Sequence, residues 1–432
     1  MPNKPVLQVA LDVMNLHRAL QIAEEAVEGG VEWIEAGTPL IKSEGLEAVR
    51  ELKKIFPSHV IVADMKTMDV GTIEVEMASK AGADVICIMG VADDATILEA
   101  VATAKRYGAK IMVDLLRTAD PVSRAKEVEK FGADYVCLHV GVDQQMRKVD
   151  SLEDVRNVAL SVNIPVAAAG GLNSETAPSV VNAGASIVIA GSAITKSPDV
   201  TTAAKVMKKA IFELKSQPSE LFKKYGQTEL KEAFSKVSTP NIADAMHTKG
   251  AMKGILPRIN HGTKMVGRAI TVRTLDGDWA KPVEAIDKCE EGGVIVIDAC
   301  GGQIAIWGEL ASWSSKKKGI AGAVIDGAAR DIDDILEMDF PVFSRHIAPN
   351  AGEPKGHGEI GSEINCGEQV VRTGDWIVGD ESGVVVVPKE QAVEIANRAM
   401  DVHERENRIR EEIKRGSTLS KVLKLEKWEK VG

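Results

Sequence analysis

Aromatic residues make up only 4% of the chain, which argues against the stacking platforms that hold single-stranded nucleic acid. Positive charge is also short. The 53 lysines and arginines stand against 63 aspartates and glutamates, a formal net charge of -10, so no bulk positive field exists to displace counterions from a nucleic-acid backbone. No direct nucleic-acid partner is expected, although a local site for a small anion is untouched by that argument. The five cysteines, Cys87, Cys137, Cys289, Cys300 and Cys366, form no CxxC pair and no ligand cluster. Buried reduced thiols in a reducing, cytoplasmic compartment are the expectation. No stretch approaches about 18 uninterrupted apolar residues, so no membrane span is expected. The opening MPNKPVLQVALD lacks a long apolar stretch and meets the acidic Asp12 early, so no secretory leader is expected either.

What is there is an ordinary globular balance, 44% apolar and 27% charged, spread over 432 residues. That length suits a barrel plus one further domain. The first half repeats one pattern, an apolar β-rich run closed by a polar residue and followed by an amphipathic stretch. The runs are LQVALD (7–12), VEWIEA (31–36), VIVAD (60–64), DVICIM (84–89), KIMVDL (110–115), DYVCLHV (134–140), IPVAAAG (164–170) and SIVIAG (186–191). Strand and helix alternating at this spacing predict βαβ units and a parallel sheet, and near-continuous apolar strands predict a sheet covered on both faces. The helix-to-strand turns share a glycine (EGGVEW, KAGADV, RYGAKI, KFGADY, NAGASI) that suits a left-handed helix cap. Eight units predict a small (β/α)8 TIM barrel over 1–212. An open doubly wound sheet would need a strand-order reversal and usually has fewer strands.

The rhythm then breaks. Residues 213–229 read as a linker, and 230–432 as a mixed α/β domain with several antiparallel strands. Runs fall at 265–274, 293–299, 322–327, 340–345, 375–380 and 383–388, and the pair WIVGD and VVVVP reads as a hairpin. Residues 388–421 read as one final charged helix, either solvated or an oligomer contact.

In a parallel barrel, residues at the C-terminal ends of the strands carry chemistry. Asp12, Glu35, Asp64, Lys66, Asp69, Asp114 and His139 stand there. Asp64 and Lys66, two apart, share a face in an extended strand, and Asp69 can return from the following loop. A lysine held between carboxylates stays charged and can stabilise an enolate oxygen, but it is a poor Schiff-base former. Glu35 and Asp64, from neighbouring strands, suggest Mg2+, a hard ion that keeps several waters. His139 is the natural proton shuttle. The glycine turns after runs seven and eight, AAAGGLNSET and IAGSAITKS, suit backbone contacts to a phosphate.

The motifs ALDV, IEAGTPL, ADMKTMD, LHVGVD and AAAGGL resemble the hexulose-6-phosphate synthase family, within the orotidine-monophosphate decarboxylase superfamily, over about residues 5–210. The resemblance implies an active site of Asp12, Glu35, Asp64, Lys66, Asp69 and His139. It implies a Mg2+ ion on Glu35 and Asp64, and a phosphate on Gly170, Gly171, Gly191 and Ser192. It also implies reversible condensation of formaldehyde with D-ribulose 5-phosphate to D-arabino-hex-3-ulose 6-phosphate, through an enediolate that the ion stabilises. Dimers are implied as well, the loop around Asp69 reaching the partner's site. The 3-keto-gulonate-6-phosphate decarboxylase branch shares nearly all these residues and is the alternative.

In the second half, Gly301 and Gly302 follow a predicted strand, where their amides suit an anion. Arg330 suits a carboxylate by its planar fork, Asp331 a metal through water, and Glu309 opens a predicted helix and can complete the water shell. STPNIADAM, GGQIAIWGE and GAVIDGAARD, over about 230–390, resemble the family of the regulator of ribonuclease activity A and the 4-hydroxy-4-methyl-2-oxoglutarate aldolases. That resemblance implies a β/β/α swivelling domain, trimers or hexamers, and a lyase site for a 2-oxo acid with Mg2+ or Mn2+. There Glu309, Arg330 and Asp331 take the places of an acidic residue, Arg and Asp. Glu309 replaces the usual Asp, one methylene longer. A non-catalytic domain that binds a ribonuclease is the alternative.

Overall fold

The structure, a computed structural model, describes residues 4–141, 152–218, 223–414 and 416–423. Val142 and Asp143, the end of the LHVGVD motif, lie outside these. The described residues form two compact units, one within 1–223 together with 404–432, the other within 224–403.

In the first unit eight strands close a barrel. They are β1 (Val6–Leu11), β2 (Trp33–Ala36), β3 (Val60–Thr67), β4 (Val85–Met89), β5 (Lys110–Asp114), β6 (Tyr135–His139), β7 (Val166–Ala169) and β8 (Ile187–Ala190). Each pairs in parallel with the next, and β8 closes on β1. Side chains alternate along each strand. Leu7, Val9 and Leu11 of β1 therefore face the surrounding helices, while Ala10 joins Val62, Val85, Met112, Ala167 and Ile187 in filling the interior. The shared glycines Gly30, Gly82, Gly108, Gly132 and Gly184 all have positive φ, as the helix-ending role requires. A regular sheet is interrupted once where it matters for chemistry. The β3–β4 register shifts between Asp64 and Thr67, and Lys66 takes a left-handed φ of 48°. Asp64 and Lys66 are therefore not the alternate residues of a flat strand, as their spacing suggested, but lie across a bulge.

The second unit holds β9 (Leu256–Arg258), β10 (Met265–Arg273), β11 (Val294–Asp298), β12 (Ala305–Trp307), β13 (Gly322–Ala329), β14 (Val342–Ile347), β15 (Glu359–Ile360), β16 (Ile364–Cys366), β17 (Gln369–Val371), β18 (Trp376–Asp380) and β19 (Gly383–Val387). Its main sheet runs β19-β18-β10-β11-β13-β14-β9, with β12 beside β13 and β15 beside β10. The run β10-β11-β13-β14 is parallel, while β9, β15, β18 and β19 pair antiparallel. The β18–β19 hairpin is the one read from the sequence. The short strands β9, β12 and β15–β17 had no legible hydrophobic pattern because two or three residues carry no period.

Two expectations need correction. The final helix runs Ala392–Lys414 and a separate short helix, Leu419–Leu423, follows. Gly416, at φ 99°, turns the chain where a continuous helix was expected. Cys300 is exposed, at a left-handed φ of 53° in the turn after β11, whereas the other four cysteines are buried. Among the described residues no helix is long and apolar enough to cross a membrane.

Candidate active site

The mouth of the barrel gathers the charges that close its strands. The Lys66 Nζ, aimed inward by the bulge, lies 2.8 Å and 3.1 Å from the two carboxylate oxygens of Asp64 on its own strand. It also lies 3.3 Å from Asp114 Oδ2 at the end of β5. Burial works against the lysine charge, but Asp64 and then Asp114 outweigh it and hold the ammonium above the usual lysine range. Asp114 Oδ2 also lies 3.0 Å from His139 Nδ1, at the end of β6. Its Oδ1 accepts from the Leu116 amide at 2.9 Å. Burial would raise the Asp114 carboxyl, yet the bond and charge of His139, with Lys66 behind them, bring it below the ordinary value. Asp64, Lys66, Asp114 and His139 thus form one continuous chain of polar contacts drawn from three strands, β3, β5 and β6.

Glu35 belongs to a different environment. It is buried at the end of β2, beside Asp64 and Asp12. Burial pushes its carboxyl well above the usual range, and the two aspartates push in the same direction. Lys66 and a hydrogen bond from the Gln8 side-chain amide, at 2.5 Å from Glu35 Oε2, oppose that shift. Asp12 stands just past β1 and keeps solvent-exposed surface. Withdrawal from bulk water by the barrel wall, then Asp64, raise its carboxyl too. Gly37 and Gly191 flank Asp12. A Cβ on Gly37 would sit 2.9 Å from the Leu11 carbonyl and force Asp12 Oδ1 aside, and one on Gly191 would lie 3.6 Å from Oδ2.

Gly170 and Gly171 adopt φ of 101° and 68° directly after β7. A Cβ on Gly170 would strike the Val140 carbonyl at 2.2 Å. Gly191 caps the short helix Ser192–Thr195 after β8, which brings both turns to the same end of the barrel as the charges.

Asp69 does not join this group. It is exposed, and its Oδ1 accepts from the neighbouring Val70 amide at 2.7 Å. The second carboxylate on Lys66 is Asp114, which the sequence offered only as one more strand-end charge. Thr38 was missed altogether. Its hydroxyl lies 2.8 Å from Asp64 Oδ2 and 2.9 Å from the Asp64 carbonyl. The signal available was its place in GTPL, directly after β2. Gln8 was also missed, although an amide inside the apolar run LQVAL is itself a signal.

The donor set bears on a metal. Among the described residues no group of three or more His, Cys, Asp or Glu side chains is gathered to hold an ion. Two carboxylates with water completing the shell is, however, the arrangement Mg2+ takes. Glu35 and Asp64 offer hard oxygen ligands, and burial together with the crowding of Asp12, Glu35 and Asp64 raises the carboxyls of Asp12 and Glu35, a strain that a bound cation would relieve. The residues fit a hard divalent cation.

In the second unit Arg330, directly after β13, donates from Nε to both oxygens of Asp331 at 3.1 Å. Adjacent side chains meet because Asp331 takes a left-handed φ of 56°, the sharp turn their pairing needs. The Glu309 amide, at the start of the helix Glu309–Lys317, donates to Asp331 Oδ2 at 3.3 Å. Gly308 leaves room for that carboxylate, since a Cβ there would lie 2.6 Å from it. The side chains of Arg330 and Asp331 are therefore brought together, with Glu309 joined to them through its backbone amide. Gly301 and Gly302 do not serve as expected. Their amides already donate within the chain, to the carbonyls of Asp326 at 3.1 Å and Ala299 at 3.0 Å, so neither is free for an anion.

Comparison with known proteins follows the same division. Residues 5–207 match the model of the Orotidine 5'-phosphate decarboxylase / HUMPS family, and residues 239–386 match the RraA-like model, Aldolase/RraA. The chain is 42% identical over 206 residues to a 3-hexulose-6-phosphate synthase of Bacillus subtilis (strain 168), covering 48% of this chain and 98% of that protein. It is 40% identical over 205 residues to that of Mycobacterium gastri, covering 48% and 99%. The crystal structure of 3-hexulose-6-phosphate synthase from Salmonella typhimurium is 32% identical, with a TM-score of 0.47, covering 48% of this chain and 99% of that one.

Proposed function

Through residues 5–207 the chain belongs to the Orotidine 5'-phosphate decarboxylase / HUMPS family, and from that membership we propose that its barrel is an aldehyde-lyase joining formaldehyde to D-ribulose 5-phosphate, reversibly, to give D-arabino-hex-3-ulose 6-phosphate. The observation that carries the choice of reaction is 42% identity along nearly the whole of a 3-hexulose-6-phosphate synthase.

The residues of the mouth supply the chemistry. The sugar phosphate rests on the turns at Gly170, Gly171, Gly191 and Ser192, which places C1 of the sugar over the charged chain. A proton leaves C1, the enediolate carbon bonds to the carbon of formaldehyde, and the formaldehyde oxygen takes up a proton. With Nδ1–H donated to Asp114, the basic nitrogen of His139 is Nε2, and this is the group that moves the proton. Lys66, held charged by Asp64 and Asp114, stabilises the oxyanion that develops. Asp12 positions sugar hydroxyls. Glu35 and Asp64 hold Mg2+, which supplies Lewis-acid stabilisation of the developing negative charge when bound. Asp69, exposed on its loop, acts in the site of a second copy in a dimer.

The second unit is a metal-dependent lyase for a small 2-oxo acid. Its support is the Arg330–Asp331 pair, with the Glu309 amide bonded to Asp331, within residues that match the Aldolase/RraA model. Arg330 anchors the substrate carboxylate, while Asp331 and Glu309 hold the water shell of Mg2+ or Mn2+. The test is two assays on the full chain. Ribulose 5-phosphate with formaldehyde should give hexulose phosphate, lost in EDTA and restored by Mg2+. Product from 3-keto-gulonate 6-phosphate alone would assign the barrel to decarboxylation. Pyruvate release from a panel of 2-oxo acids reports on the second unit. No release, with ribonuclease retained on the chain, would make that unit a regulator.

A further inference from the structure

Gln8 is wholly buried inside the barrel. Alternation along β1 puts it on the interior face with Val6 and Ala10, and in register with Trp33, one step below Glu35. Its Nε2 donates to Glu35 Oε2 at 2.5 Å, while its Oε1 is buried and has no hydrogen-bond partner among the described residues. An amide with one end orphaned costs stability, and Leu or Met would fill the space beside Ala10 and Ile189, the residue in register on β8, without that cost. The amide therefore needs a reason, and the one group it bonds is Glu35.

We propose that Gln8 is a positioning residue for the divalent-cation site, a neutral donor that fixes the Glu35 carboxylate from below while leaving its negative charge for the ion. A lysine in its place would neutralise that charge and compete with the cation. The cation already in the mouth, Lys66, is bonded to Asp64 and Asp114 instead. An apolar side chain would leave Glu35 free to rotate and its lower oxygen unsolvated. Outer partners of this kind set ligand orientation, and their loss costs about 10- to 100-fold in metal affinity. The inference rests on the reading that Glu35 holds a divalent cation.

The test is Mn2+ binding to the full chain, followed by electron paramagnetic resonance, for the native protein, E35Q, Q8L and Q8M, with thermal melts in EDTA alongside. E35Q identifies which Mn2+ belongs to the barrel. Q8L should weaken that Mn2+ about 10- to 100-fold. Its melting temperature in EDTA should change little, because removing the orphaned Gln8 acceptor offsets the cost of leaving the Glu35 oxygen without its donor. Q8M, unbranched and closer in length, carries the same test should Q8L fail to fold. Native-like Mn2+ affinity in either folded variant overturns the role of Gln8 and leaves the metal reading intact. A loss of affinity matched by an equally large fall in melting temperature in both variants overturns it as well. Binding that E35Q does not alter defeats the metal reading itself, and the inference with it.

Discussion

His139 on β6 and Asp114 on β5 meet through Nδ1 and Oδ2 at 3.0 Å, and that same carboxylate oxygen lies 3.3 Å from the ammonium of Lys66. One buried carboxylate thus contacts both the imidazole proposed to move a proton and the ammonium proposed to stabilise the oxyanion. Asp114→Asn keeps the shape but removes the charge and reverses the donor logic at Oδ2. The expected result is a fall in kcat of about 10²- to 10⁴-fold for hexulose-phosphate formation, the range general acid–base catalysis supplies, with KM little changed. Steady-state kinetics on D114N decides it, and a kcat within twofold of native would exclude the role.

Glu35 gives a pH prediction for the metal-free protein. Its carboxyl in the fold lies well above the ordinary 4.5, so the fold binds more protons than the unfolded chain in that window. Stability from this group is therefore present below 4.5 and is lost as pH rises toward the folded value. In EDTA, Glu35→Gln should melt higher than native at pH 8, and the gap should close as pH falls toward 4.5. Added Mg2+ should then raise the melting temperature of the native barrel but not that of E35Q. A gap that widens on acidification would contradict the sign.

Thr38→Val removes the hydroxyl that Asp64 accepts at 2.8 Å and keeps the volume. A hydrogen bond to a charged group contributes about 1.5–3 kcal/mol, so urea unfolding should show a loss near that size. Because Asp64 loses a fixed contact, kcat/KM should fall about tenfold or more. Native stability together with native kcat/KM would show that the hydroxyl does not hold Asp64.

Arg330→Lys tests the second unit. Lysine keeps the charge but has no Nε to bond Asp331 and no planar fork for a carboxylate. Losing such a contact costs about 2–4 kcal/mol, roughly 30- to 1000-fold in rate. Pyruvate release from a 2-oxo acid should fall by that factor in R330K while hexulose-phosphate formation is unchanged. Equal pyruvate release in the two proteins would remove Arg330 from the site.

The local pattern of the chain was enough to locate eight strands, because apolar runs at regular spacing, five of them preceded by a glycine, have few other folded solutions. It was also enough to name Asp12, Glu35, Asp64, Lys66 and His139, because a charge that ends a buried strand must be paired or used. In the second unit the six longer strands were legible and the two- and three-residue strands were not. Partnership was decided only in three dimensions. The spacing of Asp64, Lys66 and Asp69 suggested a local triplet. Asp64 does bond Lys66, but the third member is replaced: the bulge in β3 turns Lys66 across the mouth to Asp114, 48 residues away, while Asp69 bonds its own neighbour. Likewise Gly301 and Gly302 sat in sequence where an anion is often held, but their amides are closed by Asp326 and Ala299. Periodicity reports which face of an element is buried. Which two polar groups meet across that face depends on barrel closure, strand register and single left-handed residues, and these are properties of the assembled chain.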